Sequence, residues 1–225
     1  MSTASYLTRR SELETYFDRT AVEAWKRLTS DVPLSGIRAT VRAGRDRMRA
    51  TLLSWLPEDL TGRRVLDAGC GTGAFAVAAA TRGAEVTAID LSPTLIGLAR
   101  ERAGGLGIEF RVGDMADRSL GRFDHVVGMD SLIHYPAPDM TRIVGELAAR
   151  TDGSLLFTFA PRTPLLALMH ATGRLFPRGN RAPSIEPVSP GHLRMLLTAA
   201  GLRLGRTARV AGGFYISQAV EVRPA

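Results

Sequence analysis

An apolar run, Val65-Leu66-Asp67-Ala68, stops at three glycines spaced by two, Gly69-Cys70-Gly71-Thr72-Gly73, and a helical pattern begins at Ala74. That order reads as a strand, a tight turn and a helix N-terminus. Residues without Cβ let the backbone turn sharply and lie against a ligand. Unpaired N–H groups at the start of the helix then face that ligand. A dinucleotide fingerprint needs its third glycine three residues after the second. Here it comes two after, and Phe75 and Ala76 follow.

Two more loops end in acids. The strand-like run Glu85-Val86-Thr87-Ala88-Ile89 ends at Asp90, followed by Leu91. A carboxylate there can accept both ribose hydroxyls of a nucleoside. A third run, 107–112, leads into Gly113-Asp114-Met115. All three loops follow strands, so they gather at the C-terminal edge of a parallel sheet, where open α/β sheets bind ligands. The glycine run resembles motif I of the class I S-adenosylmethionine (SAM)-dependent methyltransferases. The resemblance implies that Asp67, Gly69, Gly71, Gly73, Asp90, Leu91, Asp114, Met115 and Met129 hold SAM. It also implies that Asp114 accepts from the adenine amino group while Met115 covers the ring.

Periodicity supplies the rest of the fold. Residues 5–29 carry apolar positions at helical spacing, and Asp31-Val32-Pro33 breaks the pattern. A second helix is expected over 35–55, ending before Pro57. Strands are expected near 63–68, 84–89, 107–112, 122–128 and 153–159, with helices near 73–82, 93–103 and 139–150. Such alternation means a parallel sheet covered on both faces. Pro161 opens an irregular stretch with an apolar helical piece at 165–175, a Pro- and Arg-rich loop at 176–190 and a helix at 192–200. Two closing strands, near 203–210 and 214–222, form an antiparallel hairpin through Gly212-Gly213. The expected fold is therefore α/β. It is a Rossmann-like, mostly parallel seven-stranded sheet with an antiparallel terminal strand. Residues 1–56 form a helical cap, and 57–225 form the SAM-binding domain with a substrate-side insertion at about 161–190.

Composition narrows the function classes. A 225-residue chain suits one α/β domain with an appendage. No apolar run approaches the roughly 20 residues that span a bilayer. The first fifteen residues do not read as a secretory signal. Cys70 is the one cysteine, so neither an internal disulfide nor a thiolate metal site is expected. This points to a reduced, cytoplasmic setting. Net charge is +7, and only Lys26 among 29 basic residues is lysine. The arginines are scattered without an aromatic-interleaved strip, which argues against nucleic acid. The charge suits an anionic small substrate or peripheral contact with an anionic membrane.

Candidate reaction residues lie on two segments. The run 123–129 is followed by Asp130-Ser131-Leu132-Ile133-His134-Tyr135-Pro136, on the ligand side of the sheet. His134 can act as a base or as a positioning group; its bland alternative is a structural histidine bonding a loop carbonyl. His125 reads as packing, and His170 and His192 as incidental. On the second helix Arg38, Arg42, Arg45 and Arg49 form one stripe beside an apolar stripe of Ile37, Val41, Met48 and Leu52. Guanidinium groups bind carboxylates bidentately. A solvated face with snorkelling stems is the bland alternative. No metal constellation is evident.

The N-terminal text is more specific. Tyr16-Phe17-Asp18-Arg19-Thr20, Trp25-Lys26-Arg27-Leu28 and Arg38-Ala39-Thr40-Val41-Arg42-Ala43-Gly44-Arg45-Asp46 resemble the magnesium-protoporphyrin IX O-methyltransferase family of (bacterio)chlorophyll biosynthesis. So do Met129 to Pro136 and Phe157-Thr158-Phe159-Ala160-Pro161. The resemblance implies SAM-dependent esterification of one porphyrin propionate, with S-adenosylhomocysteine as the second product. It further implies a partnership with the porphyrin-binding subunit of magnesium chelatase. Tyr16 matches the position of a tyrosine near the site. Arg38, Arg42, Arg45 and Tyr135 are the candidate substrate-binding residues. Two other classes stay open: a methyltransferase for another acceptor, such as a quinone precursor, RNA or protein, and a non-catalytic SAM-binding module.

Overall fold

The computed structural model describes residues 4–20, 36–162 and 185–223. Helix α1 (Ala4–Thr15) runs into a π-turn at Tyr16–Thr20, and α2 spans Gly36–Ser54. Alternating units follow: β1 (Arg64–Ala68), α3 (Ala74–Thr81), β2 (Glu85–Asp90), α4 (Pro93–Ala103), β3 (Glu109–Val112) and β4 (Phe123–Gly128). Then come α5 (Ala137–Ala148), β5 (Thr151–Phe159), α6 (Pro190–Ala199), β6 (Arg203–Gly212) and β7 (Tyr215–Arg223). The helical piece expected at 165–175, His170 and most of the 176–190 loop lie outside the described residues.

Seven strands form one sheet in the order β3-β2-β1-β4-β5-β7-β6. β1 to β5 are parallel, and β7 runs antiparallel to both β5 and β6. The hairpin turn is one residue later than expected. Gly212 pairs with Tyr215, and the turn is Gly213-Phe214, because Gly213 takes the left-handed backbone (φ 55).

Strand alternation splits the core in two. Leu66, Val126, Leu155 and Phe157 face α5 and α6, with Tyr6 and Leu13 of α1 in the same cluster. Val65, Val127 and Leu156 face the other way, against Met48 and Leu52 of α2, Phe75 of α3 and Ile96 of α4. The three-layer arrangement thus follows from a period of two along each strand.

Of the helix expected over 5–29, residues 21–29 lie outside the described residues, and its described part changes geometry part-way. After Thr15 the backbone widens into the π-turn, and Asp18 is drawn to the N-terminus of α4. Its Oδ1 accepts from the Thr94 N–H (3.2 Å) and from the hydroxyls of Thr94 (2.7 Å) and Ser92 (3.3 Å). An anion there satisfies orphan donors and meets the positive end of the helix. On α2, Ile37 differs from expectation: it is exposed, while Met48 and Leu52 are fully buried. Gly44 faces β7, where a Cβ would collide with the Tyr215 ring. The glycine thereby sets how closely α2 approaches the sheet.

Candidate active site

β1 and β2, next to β4, bring their C-terminal loops to one edge, at the switch in strand order. A cavity of about 620 Å³ opens there, lined by the glycine loop, the β2, β3 and β4 loops, α2 and α1. That volume is ordinary for a small-molecule site.

The glycine loop forms its floor. Gly69, Gly71 and Gly73 take φ values of 84, 53 and 78°, a region open to glycine but costly for a side chain. The N–H groups of Gly69 and Cys70 both donate to the Ile89 carbonyl (2.8 and 3.0 Å), which ties the loop to β2. A Cβ on Gly69 would collide with Ser131, whereas a Cβ on Gly71 would meet open space. Gly71 lines the cavity, and Gly73 is packed behind it against Ala99 and Phe110.

Two carboxylates flank this floor. Asp67 is 2% exposed, and its Oδ2 accepts from the Ala76 N–H (3.1 Å) in the first turn of α3. Burial, reinforced by the charge of nearby Asp90, pushes its carboxyl up to about 7. Asp90 accepts from Gly71 N–H at 2.8 Å and Ser92 N–H at 3.0 Å. Burial also raises its pKa, against those bonds. Each oxygen retains acceptor capacity, so Asp90 can still receive ligand hydroxyls. The Cys70 thiol, between these acids, is pushed well up by burial and by both charges. It therefore stays a neutral thiol.

The β3 and β4 loops make the walls. Leu91, Met115 and Met129 line the cavity. Arg150 steadies the β3 loop by donating to the carbonyls of Met115 and Asp117. Asp114 is not among the lining residues: its carboxylate accepts from the Ala116 N–H (2.8 Å), the Tyr6 hydroxyl and Arg10 (3.3 Å). His134 and Tyr135 do line the cavity and are buried. Phe17 meets the His134 ring edge-on, with centroids 5.7 Å apart.

Of the arginine stripe, Arg42, Arg45 and Arg49 line the cavity, and Arg38 is exposed outside it. Arg45 pairs with Asp130 at 2.8 Å, and Arg49 with Asp46 at 2.8 Å. Tyr16 is half-buried against Phe17 (5.2 Å) and is not a lining residue; Phe17 lines the cavity in its place. His125 contacts Ser154 (2.9 Å) away from the cavity, and His192 is exposed on α6. No group of three metal-ligating side chains occurs among the described residues.

Among the lining residues absent from the sequence candidates, Asp130, Ser131 and Phe17 stand out. Asp130 follows β4 by two residues as Asp90 closes β2, and that parallel was the available signal. Ser131 Oγ is buried with no hydrogen-bond partner among the described residues. Phe17 was eclipsed by its neighbour Tyr16. Tyr6, behind the wall, gave no signal at all, since its importance comes from a contact 108 residues away.

The family model "Methyltransferase domain" matches residues 65–152, and "Magnesium-protoporphyrin IX methyltransferase C-terminus" matches residues 128–224. Magnesium-protoporphyrin O-methyltransferase of Rhodobacter capsulatus is 51% identical to this chain, over 98% of it and 99% of the relative. The chain belongs to this family. Within the family, the magnesium protoporphyrin IX methyltransferase of Synechocystis, solved with bound S-adenosylhomocysteine, superposes with a TM-score of 0.84. It is 29% identical, covering 95% of this chain and 99% of that one. A ubiquinone biosynthesis O-methyltransferase of Xanthomonas euvesicatoria is 36% identical, but over only 65% of each chain. The family kinship therefore runs through the N-terminal helices, which the bare methyltransferase unit at 65–152 lacks.

Proposed function

We infer that the chain is a SAM-dependent O-methyltransferase that esterifies a propionate carboxylate of magnesium-protoporphyrin IX, giving the monomethyl ester. The observation that carries this reading is the full-length 51% identity to the Rhodobacter capsulatus enzyme. The alternative of a quinone-precursor acceptor has a shorter match behind it.

The residues present fit the cofactor. Gly71 leaves open space where a side chain would intrude, Ser131 offers a buried hydroxyl in need of a partner, and Asp67 and Asp90 supply anionic acceptors. Asp90 would hold ribose hydroxyls, Asp67 would face the cationic end, and Met115 and Leu91 would sandwich the base. Bound SAM supplies a methyl group already activated on a sulfonium. The protein's task is then proximity and orientation. A propionate is ionised at neutral pH and needs a cationic clamp more than a base, which gives Arg42 and Arg45 their role. His134, held by packing beside Phe17, positions the acceptor oxygen. Tyr16 backs Phe17, and Arg38 extends the positive rim outward.

Finer expectations come from the family resemblance and from charge. The porphyrin-binding subunit of magnesium chelatase would present this poorly soluble substrate, and the basic chain (+7) would favour anionic membrane surfaces. Among the described residues no helix is long and apolar enough to cross a membrane. We also read residues 1–56 as a cap on the catalytic domain 57–225. The test is incubation of purified protein with SAM and magnesium-protoporphyrin IX, with products resolved by chromatography and mass spectrometry. One added methyl group, dependent on SAM, is expected. Bound SAM with no methylated porphyrin, even with the chelatase subunit added, would overturn the acceptor assignment.

A further inference from the structure

Asp130 is the one non-glycine described residue with a positive φ, at 54°. Aspartate tolerates this region, yet a residue held there beside a cavity marks a geometry enforced by its surroundings. Here the surroundings are polar and come from three elements. The Asp130 N–H donates to Thr158 Oγ1 on β5 (2.8 Å), and that hydroxyl donates back to Oδ1 (3.1 Å). From β7, the Tyr215 hydroxyl lies 3.1 Å from both carboxylate oxygens and the Ser217 hydroxyl 3.3 Å from Oδ1. From α2, Arg45 reaches Oδ2 at 2.8 Å. The carboxylate is 6% exposed and the Arg45 side chain 22%. Both residues line the cavity.

A pair of this kind is a poor choice for stability alone, because apolar replacements of similar shape commonly do as well or better. Its distinctive property is directional. A guanidinium has five donors in a rigid fork. Fixing one arm fixes the plane of the others. Burial and the Asp130 charge hold Tyr215 far above its ordinary pKa, so the phenol stays a donor and keeps the carboxylate in place.

We propose that Asp130, braced by Tyr215, is a positioning residue that aims the Arg45 guanidinium at the carboxylate of the acceptor. The proposal rests on the O-methyltransferase reading above. Asp130 does not touch the transferred methyl group; it sets where the acceptor's negative charge is received.

The test compares wild type with Asp130→Asn, which keeps the backbone preference and shape but loses the charge, and with Tyr215→Phe and Arg45→Ala. Affinity for magnesium-protoporphyrin IX and for its dimethyl ester is read from the shift of the porphyrin absorption band. SAM affinity is measured by calorimetry, and KM and kcat from the ester-forming assay. Asp130→Asn is expected to raise the porphyrin KM about tenfold or more, to weaken binding of the dicarboxylate but not of the dimethyl ester, and to leave SAM affinity within about twofold. The double variant Asp130→Asn/Arg45→Ala should bind the dicarboxylate no more weakly than Arg45→Ala alone. Tyr215→Phe should give a smaller shift in the same direction. Equal loss of dicarboxylate and diester binding, or parallel loss of SAM affinity, would make the cluster merely structural and overturn the proposal. An active wild type with an unchanged Asp130→Asn would overturn it while leaving the O-methyltransferase reading intact. A wild type that neither binds nor methylates the porphyrin would overturn both.

Discussion

A carboxyl that titrates near 7 inside a cofactor cavity gives the Asp67 side chain a measurable signature. Its folded-state pKa is raised above the unfolded value of about 3.9, so the folded chain holds the proton more tightly. Stability attributable to this group therefore declines as pH climbs from about 4 to about 7, and is flat above. A cationic ligand reverses the preference and favours the carboxylate. SAM binding should thus release most of a proton at about pH 6 and almost none at about pH 9. Calorimetry in buffers of different ionisation enthalpy reads this directly, and Asp67→Asn should abolish it. His134→Ala should lower kcat by up to about a hundredfold with SAM affinity intact, since misplacing an acceptor costs that much. An equal loss of SAM binding would return His134 to a purely structural role. At this scale the sequence was legible wherever a residue type does one job at a fixed offset from a strand. The glycines, Asp67 and Asp90 are such cases. Asp130 and Ser131 stood in the quoted fourth-loop text; the place of Asp130 after β4 was visible there, but its partners lie on β5, β7 and α2, which no local spacing encodes.

Elements meet through a few unforgiving contacts. Gly44→Ala would drive a Cβ into the Tyr215 ring, overpacking the α2–β7 contact. A loss of about 1–3 kcal/mol is expected, together with weaker porphyrin binding, because Tyr215 would be displaced from Asp130. Thermal unfolding and porphyrin titration on the same sample check both. Further along, Glu221 of β7 is 2% exposed and accepts from Arg206 Nε at 2.9 Å and Nη2 at 2.8 Å. Arg206 also donates to the Trp55 carbonyl just past α2 (2.8 Å) and lies over its ring. The Arg206 side-chain and backbone bonds hold the Glu221 carboxyl down to about 2. That stabilisation is complete above the unfolded value of about 4.3 and is lost as pH falls toward about 2. The Arg206 side chain is 43% exposed and its charge is screened by solvent, so Glu221→Gln should cost only about 1 kcal/mol at neutral pH, and less near pH 2. Secondary structure itself was readable from periodicity, with strand and helix limits displaced by a residue or two. The first helix was the exception. Its apolar spacing continues past Thr15, where the backbone widens to a π-turn and Asp18 meets three donors at the start of α4, a contact no local spacing encodes.

For the molecule as a whole, the N-terminal segment behaves as a strap across the sheet edge. Ser5 donates to Asp139 on α5 (2.7 Å), Tyr6 to Asp114 after β3, Arg9 to Glu186 (2.9 Å), and Asp18 receives from α4. Tyr6 also stacks on Tyr135 at 5.3 Å and lies under Arg142. Glu186 in turn belongs to a stretch whose backbone joins Ile133 and Ala160 (2.8 and 2.9 Å), beside His134. Ligand held beneath this strap must be coupled to its docking. Trypsin cleavage after Arg10 should therefore slow when SAM is added; an unchanged rate would show that strap and ligand are independent. These tethers also impose a schedule on synthesis. Residues 4–20 leave the ribosome before the elements they dock on, and Glu186, the partner of Arg9, follows 177 positions later. At about 5–20 residues per second, that is a wait of roughly ten to thirty seconds. Until the core residues from Leu66 to Phe159 have followed, Tyr6 and Leu13, both destined for burial, have no core to enter. The nascent chain can assemble the β1–β4 half while the strap upstream of it hangs unanchored, so a segment made before the core finds its place only after it.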